Sequence, residues 1–381
     1  METEKLYELD SGCREFTATV TGCTQAEGGW EIPLDRTAFY PEGGGQSYDT
    51  GTLEETNVTA VWDREGAVIH LCDSPLEVGA VVTGTLNWQR RLDLMQQHSG
   101  EHIVSGILHK LFGAHNVGFH MGADVITVDF DVVIPPQALA QVEEMANQAV
   151  YQDLPVRCWY PTQAQLKKVA YRSKKQLPWP VRIVEVPGYD TCACCGTHVM
   201  RTGQIGLIKL LSCVKFHQGV RIEMLCGGRA LELLTRVYEQ NRLVSQVFSA
   251  KLLETGAAAQ RMNEQLAAEK FRSAGLEKKM FDMVAQGFAG KGDVLYFAEE
   301  IAPGALRELA DRIAQQCGGT AAVFSGKDQS YNLCLVNKTA DISDLGRELN
   351  RVLNGRGGGK TGIHQGSVSA NKKQIEAFFY K

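Results

Sequence analysis

The spacing of apolar residues changes along the chain and predicts where strands and helices form. In residues 1–88, apolar and polar residues alternate over short runs separated by turn residues, which is the pattern of β-strands. The predicted strands cover 16–20, 58–62, 67–71 and 81–86. We expect this segment to form a small β-barrel-like domain.

Residues 89–230 combine both periodicities and predict an α+β domain. Apolar residues recur three and four positions apart over 92–111 and 136–152, which indicates two helices with a buried face. The remaining apolar runs predict strands at 125–133, 205–214 and 220–225.

The rest of the chain predicts a helical segment followed by a small α/β domain. Residues 231–289 lack proline and carry apolar residues at helical intervals, so we expect a long helix or hairpin, broken near Gly256 or Gly275. Such a helical linker acts either as a spacer or as the interface of a homodimer. Residues 290–381 alternate predicted strands and helices. The class predicted for the whole chain is α+β.

The composition is that of an ordinary globular protein. Of 381 residues, 44% are hydrophobic and 22% are charged. The N-terminus lacks the basic and apolar regions of a signal peptide, and no apolar run reaches the length of about eighteen residues that a membrane span needs. The 11 cysteines are better interpreted as free thiols and metal ligands than as disulfides. We expect a cytoplasmic protein with no membrane partner.

Positive charge is concentrated in one segment, although the net charge of −5 gives no overall sign of a nucleic-acid partner. Residues 154–184 contain no acidic residue. Their cations are interleaved with aromatic rings and comprise Arg157, Lys167, Lys168, Arg172, Lys174, Lys175 and Arg182. Cations beside rings that stack on bases are typical of proteins that bind single-stranded RNA ends. A solvated basic face is the alternative interpretation.

Two short motifs predict a metal site. His98 and His102 are four residues apart in a predicted helix, so their imidazoles point to the same place. Cys194 and His198 are also separated by three residues. One thiolate with three imidazoles is a ligand set that zinc prefers, and we interpret these residues as one site for a single Zn²⁺. Either pair alone would fit side chains without a metal equally well.

A glycine triplet in the N-terminal region predicts a binding surface. Gly43, Gly44 and Gly45 leave the backbone open to close approach by a ligand or another segment. The polar residues around the triplet include Thr37, Tyr40, Glu42 and Gln46. We interpret this segment as the wall of a binding site, whereas a plain β-turn would explain the glycines alone.

Two familiar enzyme motifs are approached but not matched. A zincin protease needs glutamate directly after the first histidine of its helix, and this chain has Ser99. Residues 355–362 nearly match a phosphate-binding P-loop, but Asn354 replaces the first glycine and no helix is predicted after the motif. We therefore exclude nucleoside triphosphate hydrolysis. Arg356 and Lys360 in this glycine loop are candidate contacts to an RNA backbone, and a mobile loop is the alternative.

Four segments occur in a familiar order: FYPEGGGQ (39–46), HSGEH (98–102), CCGTH (194–198) and GRGGGK (355–360). They resemble the AlaX proteins in their long form, the free-standing relatives of the editing domain of alanyl-tRNA synthetase. The resemblance covers essentially the whole chain. It implies a hydrolase that removes serine, and in some members glycine, from wrongly charged tRNA(Ala). It also implies that 89–230 is the editing domain, with zinc on His98, His102, Cys194 and His198. For 290–381 we expect a domain that binds tRNA or forms a dimer.

The resemblance assigns roles at the glycine segment as well. Thr37 and Gln46 would line the amino-acid pocket, with Tyr40 and the glycine triplet as its wall. Thr37 is our candidate partner for the serine hydroxyl, because a site built to pair a hydroxyl rejects an analogue that lacks it. Two mechanisms stay open: zinc activates the attacking water, or zinc anchors the aminoacyl end while Gln46 and backbone groups orient the water.

The cysteines depart from the family pattern. Members commonly have glycine directly after the ligand cysteine, where this chain has Cys195, and a further thiol lies at Cys192. Either thiol competes for the metal. We keep Cys194 as the ligand because three residues separate it from His198.

Two other functions are compatible with the motifs. A deacylase that removes serine from tRNA(Thr) would use a similar zinc-binding set, with one pair of histidines and one cysteine–histidine pair. A zinc-containing protein that binds RNA without turnover would need the basic segment but no catalysis. The FYPEGGGQ and GRGGGK segments favour the alanyl hypothesis.

Overall fold

The computed structural model describes residues 2–173 and 179–380, and the chain divides into two compact units, Met1–Leu243 and Val244–Lys381. Each unit combines helices with β-sheets, so the predicted mixed class is confirmed. In the described part of the chain, no helix has both the length and the apolar composition needed to cross a membrane.

The first unit begins with a curved antiparallel sheet. Its elements are β1 (Glu4–Lys5), α1 (Leu6–Leu9), β2 (Glu15–Thr19), β3 (Thr24–Ala26), β4 (Gly29–Pro33), β5 (Arg36–Thr37), β6 (Gly51–Leu53), β7 (Thr56–Arg64), β8 (Ala67–Cys72) and β9 (Val81–Leu86). Strands β1 and β5 form a parallel pair, and the others are ordered β2-β9-β6-β7-β8-β4-β3. Val20, after β2, bridges to Leu34, after β4, so the sheet curves back on itself around an apolar core. All four strands predicted here are present.

The first unit continues with two further antiparallel sheets and two long helices. Its elements are α2 (Trp88–Phe112), β10 (Asn116–Met121), β11 (Ile126–Phe130), α3 (Ala138–Tyr151), β12 (Arg157–Trp159), α4 (Gln163–Leu166), β13 (Ile183–Val186), β14 (Asp190–Ala193), β15 (Ile208–Phe216) and β16 (Gly219–Cys226). The sheets are ordered β10-β11-β16-β15 and β12-β13-β14. Helices α2 and α3 pack over the four-stranded sheet through apolar residues such as Ile107, Val142 and Ile222. Both predicted helices are therefore confirmed.

Two helices follow, α5 (Gly227–Phe248) and α6 (Thr255–Gln286). The boundary between the two units falls within α5. The predicted interruption lies just before Gly256, at a short 3₁₀ turn over Leu252–Glu254, whereas Gly275 lies inside α6.

The second unit ends in a five-stranded sheet with helices on both faces. Its elements are β17 (Gly292–Ala298), α7 (Pro303–Cys317), β18 (Gly318–Lys327), β19 (Ser330–Val336), α8 (Ser343–Val352), β20 (Arg356–Lys360), β21 (Ile363–Val368) and α9 (Lys372–Phe379). The order is β17-β18-β19-β21-β20, with only β17 and β18 parallel. Apolar clusters cover both faces of the sheet.

The prediction of a glycine loop at 355–362 was wrong. Arg356–Lys360 form the edge strand β20, which pairs with β21 from Arg356 opposite Ser367 to Lys360 opposite Ile363. A Cβ on Gly357 would come within 2.5 Å of the carbonyl oxygen of Gln365. The glycines therefore serve close strand pairing, which the sequence pattern did not distinguish from a loop.

Candidate metal centre

Helix α2 carries one half of the centre. The Asn87 side chain caps its first turn by accepting a hydrogen bond from the Arg90 amide at 3.2 Å, and the helix ends at Gly113 in the left-handed conformation. His98 and His102 are both buried on this helix, with their ring centres 5.3 Å apart. The helix thus brings two imidazoles together, as their spacing predicts.

The turn after β14 supplies the other half. One donor atom from each of His98, His102, Cys194 and His198 lies within 4.8 Å of every other. The Nε2 of His98 lies 3.4 Å from the Sγ of Cys194. The ring centre of His198 lies 4.5 Å from that of His98 and 4.7 Å from that of His102. The structure therefore brings the four predicted ligands into one cluster that could hold a metal ion.

An unpartnered nitrogen marks the inside of this cluster. The Nε2 of His198 is buried and has no hydrogen-bond partner among the described residues. A buried ring nitrogen without a partner costs free energy unless a ligand takes up its lone pair. This atom, together with the thiol of Cys194 and two further imidazoles, fits the donor set of a metal site.

The opposite nitrogen of each imidazole is bound outside the cluster. The three pairs formed by the Nδ1 atoms are His98 with Gln46 Oε1 at 2.9 Å, His102 with Asp190 Oδ2 at 3.0 Å, and His198 with Ser99 Oγ at 3.3 Å. Such outer bonds fix the ring orientation and leave Nε2 to face a metal. These outer hydrogen bonds therefore hold all three imidazoles in orientations that allow them to bind one metal ion.

Asp190 connects the centre to the basic segment. Its Oδ1 accepts a hydrogen bond from Arg172 Nε at 2.7 Å, and its Oδ2 accepts one from Arg172 Nη2 at 2.9 Å. Burial opposes ionisation of Asp190, but His102 and Arg172 outweigh it and lower the pKa of the carboxyl group. Asp190 is thus an ionised carboxylate that orients a ligand histidine.

Two glycines permit the close packing on which these contacts depend. A Cβ on Gly106 in α2 would collide with the carbonyl oxygen of Tyr189 and lie 2.7 Å from the Cβ of Asp190. A Cβ on Gly196 would collide with the ring of His98. The first glycine admits the strand that carries Asp190, and the second admits the ligand turn.

The electrostatic environment favours a thiolate at Cys194. Burial opposes its ionisation, but the charge of His98 and the hydrogen bond with His102 outweigh burial and hold the pKa of Cys194 well below its ordinary value. Burial, reinforced by His98, lowers the pKa of His198 to about 3. At His102, burial is outweighed by Asp190, which raises the pKa well above its ordinary value. A metal ion therefore competes with a proton for His102.

The two neighbouring cysteines differ from Cys194. Burial raises the pKa of the Cys192 thiol to about 11, and burial together with the charge of Cys194 raises that of Cys195. Cys192 lies in a second group with His102 and Asp190 and is not within reach of all four candidate ligands. Cys195 is exposed and joins no metal-ligand group within residues 2–173 and 179–380.

The glycine segment, residues 39–46, lies against the centre. Buried Gln46 accepts a hydrogen bond from the Thr197 amide at 3.2 Å and donates one to the Thr197 hydroxyl at 2.8 Å, in addition to its contact with His98. A Cβ on Gly45 would lie 2.8 Å from the ring of Phe119, and that ring stacks on His98 with 5.3 Å between centres. The segment therefore contacts the ligand histidine both directly and through Phe119.

Tyr40 and Thr37 are buried at the start of this segment. The hydroxyl of Tyr40 donates to the carbonyl oxygen of Gly43 at 3.1 Å, while Gly44 is exposed. The hydroxyl of Thr37 pairs with His70 Nε2 at 2.8 Å and accepts a hydrogen bond from the Phe39 amide at 3.1 Å. Thr37 therefore contacts residues of the N-terminal region and none of the four candidate ligands.

The predicted RNA-binding residues occupy different environments. Lys167 and Lys168 follow α4 and are exposed, whereas Arg172 is half-buried and paired with Asp190. Arg356 and Lys360 are exposed at the two ends of β20. The remaining two, Lys174 and Lys175, lie outside the described residues.

Two residues around the centre, Asp190 and Ser99, were not predicted from the sequence to contact it. Asp190 is the only aspartate between Asp153 and Asp282, and it lies four residues before the ligand Cys194. A lone carboxylate next to a predicted ligand was the available signal. Ser99 was considered only because it replaces the glutamate of the zincin motif. Its hydroxyl contacts His198 and accepts a hydrogen bond from the Val199 amide at 3.1 Å.

Three family models match separate parts of the chain. Residues 12–90 match the class II (A) tRNA synthetases. Residues 181–223 match the second additional domain of threonyl and alanyl tRNA synthetases, and this match includes Cys194 and His198. Residues 291–380 match the DHHA1 domain.

Whole-length similarity extends to two kinds of protein. The alanine–tRNA ligase of Thermofilum pendens is 32% identical over 402 residues, which cover 97% of this chain and 43% of the ligase. The alanyl-tRNA editing protein Aarsd1 of Mus musculus is 28% identical over 402 residues, which cover 98% of this chain and 96% of that protein. The chain thus spans less than half the length of the ligases that it matches.

One solved structure is similar in part. It is the C-Ala domain of Aquifex aeolicus alanyl-tRNA synthetase, which is 29% identical, covers 23% of this chain and 85% of that domain, and gives a TM-score of 0.20.

Proposed function

The chain belongs to the AlaX family of alanyl-tRNA editing proteins, and we propose that it is a cytoplasmic hydrolase acting in trans on wrongly charged tRNA(Ala). The ester to be cleaved joins serine, and secondarily glycine, to the terminal ribose. The observation that carries the proposal is the cluster of buried His98, His102 and His198 with half-buried Cys194, in contact with the glycine segment.

We propose zinc, one ion per chain, as the metal at this cluster. One thiolate and three imidazoles form a donor set that suits borderline-soft zinc, and the unpartnered Nε2 of His198 supports a ligand there. When bound, zinc supplies Lewis-acid polarisation of a substrate oxygen. The hydrogen bonds from Gln46, Asp190 and Ser99 hold the three rings in position for it.

Gln46 acts in this proposal by position rather than as a base. A carboxamide does not accept a proton at neutral pH, and both lone pairs of its oxygen are used by His98 and Thr197. Its nitrogen donates one hydrogen to the Thr197 hydroxyl, so in the described contacts one hydrogen is left to hold the attacking water or the ester oxygen. Gln46 thereby connects the orientation of His98 with the orientation of the reactants.

Thr37 is proposed to recognise the serine hydroxyl. Serine exceeds alanine by one hydroxyl, so size alone cannot spare the correct product and the pocket has to pair that group. Burial lowers the pKa of His70 to about 4, so His70 is neutral at neutral pH and its Nε2 accepts the Thr37 hydrogen. One lone pair of the Thr37 oxygen then accepts the Phe39 amide, and in this proposal the other accepts the serine hydroxyl. Because Thr37 is fully buried, the proposal requires the pocket to open toward it.

Exposed cations are proposed to hold the RNA. In this proposal phosphates are neutralised by the exposed residues Lys167, Lys168, Arg356 and Lys360. Lys174 and Lys175 are proposed with them. Arg172 acts through its ion pair with Asp190. Apolar side chains that α6 exposes, such as Phe271 at 84%, support the homodimer alternative for the helical segment over the spacer.

A deacylation assay tests the proposal. Seryl-tRNA(Ala), glycyl-tRNA(Ala), alanyl-tRNA(Ala) and seryl-tRNA(Thr) are each incubated with the zinc-loaded protein, with and without a chelator. We expect seryl-tRNA(Ala) to be cleaved fastest, the chelator to stop cleavage and added zinc to restore it. Faster cleavage of seryl-tRNA(Thr) would favour the threonyl deacylase, and tight RNA binding without any cleavage would favour a binding protein.

A further inference from the structure

Arg182 places a buried positive charge beside the ligand turn, and half of its guanidinium is unpaired. Only 2% of the residue is exposed. Its Nη1 donates to the carbonyl oxygens of Cys194 and Gly196, at 3.0 and 2.9 Å. Its Nε and Nη2 are buried and have no hydrogen-bond partner among the residues that the structure describes. The sequence suggested a surface cation at this position, and the structure buries it.

Arg91 shows how the same unit satisfies a buried guanidinium. Its Nε donates to both carboxylate oxygens of Asp49, each at 3.0 Å, and its Nη1 and Nη2 reach the carbonyl oxygens of Ser11 and Ala38 at 3.0 and 2.6 Å. At Arg182 no carboxylate takes the corresponding place within the described chain. A buried charge without a counter-charge is unfavourable, so the contrast indicates that Arg182 awaits an anionic partner.

The Arg182 guanidinium lies near residues of the glycine segment and of the protein surface. The Arg182 charge partly offsets the burial that raises the pKa of Tyr40, Cys158, Tyr160 and Cys195, and a weak side-chain contact with the Cys158 thiol adds to this effect. Tyr40 belongs to the glycine segment, whereas Tyr160 and Cys195 are exposed. The hydroxyl of Tyr160 donates to Glu8 at 2.7 Å. The guanidinium of Arg182 is therefore close to the glycine segment and to two exposed side chains.

The charge balance of the region also calls for an anion. Zinc at +2 with the thiolate of Cys194 at −1 and three neutral imidazoles would leave +1, and Arg182 adds another positive charge. The Asp190 carboxylate does not offset these charges, because Arg172 already pairs with it. The Glu8 carboxylate is bonded by Tyr160 and forms no ion pair with Arg182 in the described chain, so a ligand with negative charge would restore the balance.

We propose that the Nε and Nη2 edge of Arg182 binds a phosphate of the RNA substrate, namely the phosphodiester next to the acylated terminal ribose. The two N–H groups are parallel and match the two non-bridging oxygens of a phosphodiester, whereas an ester carbonyl offers one oxygen. The edge is buried, so the proposal also requires a side chain beside it to move, and exposed Tyr160, now bonded to Glu8, is the candidate. The identity of the RNA in this inference rests on the proposed function.

A neutralised phosphate tests the contact directly. RNA hairpins with the tRNA(Ala) acceptor stem and its single-stranded 3′ end are made with either an ordinary or a methylphosphonate last linkage. Kd values are measured for zinc-loaded wild type, R182Q and R182K. We expect the wild type to bind the methylphosphonate RNA on the order of tenfold more weakly, because charged hydrogen bonds are lost. R182Q should bind both RNAs weakly and show no further loss.

Control measurements separate this contact from a structural role. K167Q removes an exposed cation and should weaken binding while keeping the full methylphosphonate effect. Zinc content and thermal stability are measured for every variant, because Nη1 also holds the ligand turn. If R182Q does not fold, R182K takes its place, since a lysine keeps the charge but loses the fork and should reduce the effect to a few-fold.

Two results would overturn the inference: an undiminished methylphosphonate effect in R182Q or R182K, or no effect in the wild type. Binding of uncharged RNA is measured without ester hydrolysis. A protein that cleaves seryl-tRNA(Ala) but shows no methylphosphonate effect would therefore refute this inference alone. A protein that shows the effect but cleaves no ester would refute the proposed function alone.

Discussion

Two histidines in different regions of the first unit are equally buried but differ in what their ring nitrogens contact. His70, in the N-terminal sheet, has both nitrogens bound, to the Ile32 carbonyl oxygen at 2.9 Å and to Thr37 at 2.8 Å. His198 contacts Ser99 with one nitrogen and has an unpartnered Nε2 among the described residues. Burial lowers the pKa of both, to about 4 and about 3. A lowered pKa therefore does not distinguish the two histidines, whereas the unpartnered buried nitrogen of His198 makes it the candidate ligand.

The largest effect should come from the histidine that lacks a partner. Replacing His198 with alanine removes one of four donors, so zinc content should fall well below one per chain. Deacylation of seryl-tRNA(Ala) should fall on the order of a thousandfold, because a metal ion contributes several kcal/mol to such a reaction. Elemental analysis and initial rates measure both. Replacing His70 with glutamine should leave the zinc content unchanged. Loss of zinc in this variant would contradict the distinction between the two histidines.

His70 should instead control the pH dependence of stability. Its pKa in the folded chain, about 4, lies below its ordinary value of 6.5, so the unfolded chain binds more protons between these values. Stability is therefore complete above pH 6.5 and falls as the pH decreases toward 4, by up to about 3 kcal/mol. Urea unfolding at pH 7.5, 6 and 5 measures this loss.

The variant His70→Gln keeps a donor and an acceptor but cannot titrate, so it should flatten this part of the profile. His120 is exposed, and His120→Gln serves as the matched control with an unchanged profile. A wild-type slope in His70→Gln would show that other groups cause the acid sensitivity.

The hydrogen bond between Asp190 and His102 allows a second test, because it orients a candidate metal ligand from outside the cluster. Replacing Asp190 with asparagine keeps its size but removes its charge, and zinc affinity should fall about 10- to 100-fold. Competition with a chelator measures the affinity. Asp131 bonds His115 in the same way at 3.1 Å, but on the surface, so Asp131→Asn should have no effect on zinc. Equal effects in both variants would contradict the assignment.

The smallest effect is expected at Thr37, where the N-terminal sheet meets the glycine segment. Thr37→Val removes the hydroxyl and leaves His70 Nε2 without its donor, which should cost about 1 kcal/mol of stability. The preference for seryl over alanyl ester should fall roughly fivefold for the same reason. Thr37→Ser keeps the hydroxyl and should retain both. Rates on the two esters measure the preference, and an unchanged preference in Thr37→Val would remove Thr37 from recognition.

Much of the candidate metal centre could be predicted because its four residues follow local rules. The spacing of His98 and His102 needs only helical geometry, and Cys194 and His198 lie within one short turn. Four segments in a recognisable order identified the family, and the comparisons confirm it. The strands at 58–62 and 67–71 were also found because alternation is a local pattern.

The outer contacts could not be predicted because they join distant segments. Gln46 reaches His98 across 52 positions and Asp190 reaches His102 across 88, and no periodicity records such pairs. The edge strand at Arg356–Lys360 was mistaken for a loop, since three glycines carry no strand signal and its pairing partner decides the conformation. Arg182 was grouped with surface cations because charge alone does not reveal burial.

X-ray absorption at the zinc edge of the zinc-loaded protein tests the central claim most directly, because it counts the atoms bound to the metal. We expect one sulfur at about 2.3 Å and three nitrogens at about 2.0–2.1 Å, as required if Cys194, His98, His102 and His198 hold one ion. Two or more sulfurs would show that Cys192 or Cys195 binds the metal. The absence of sulfur would contradict the account altogether.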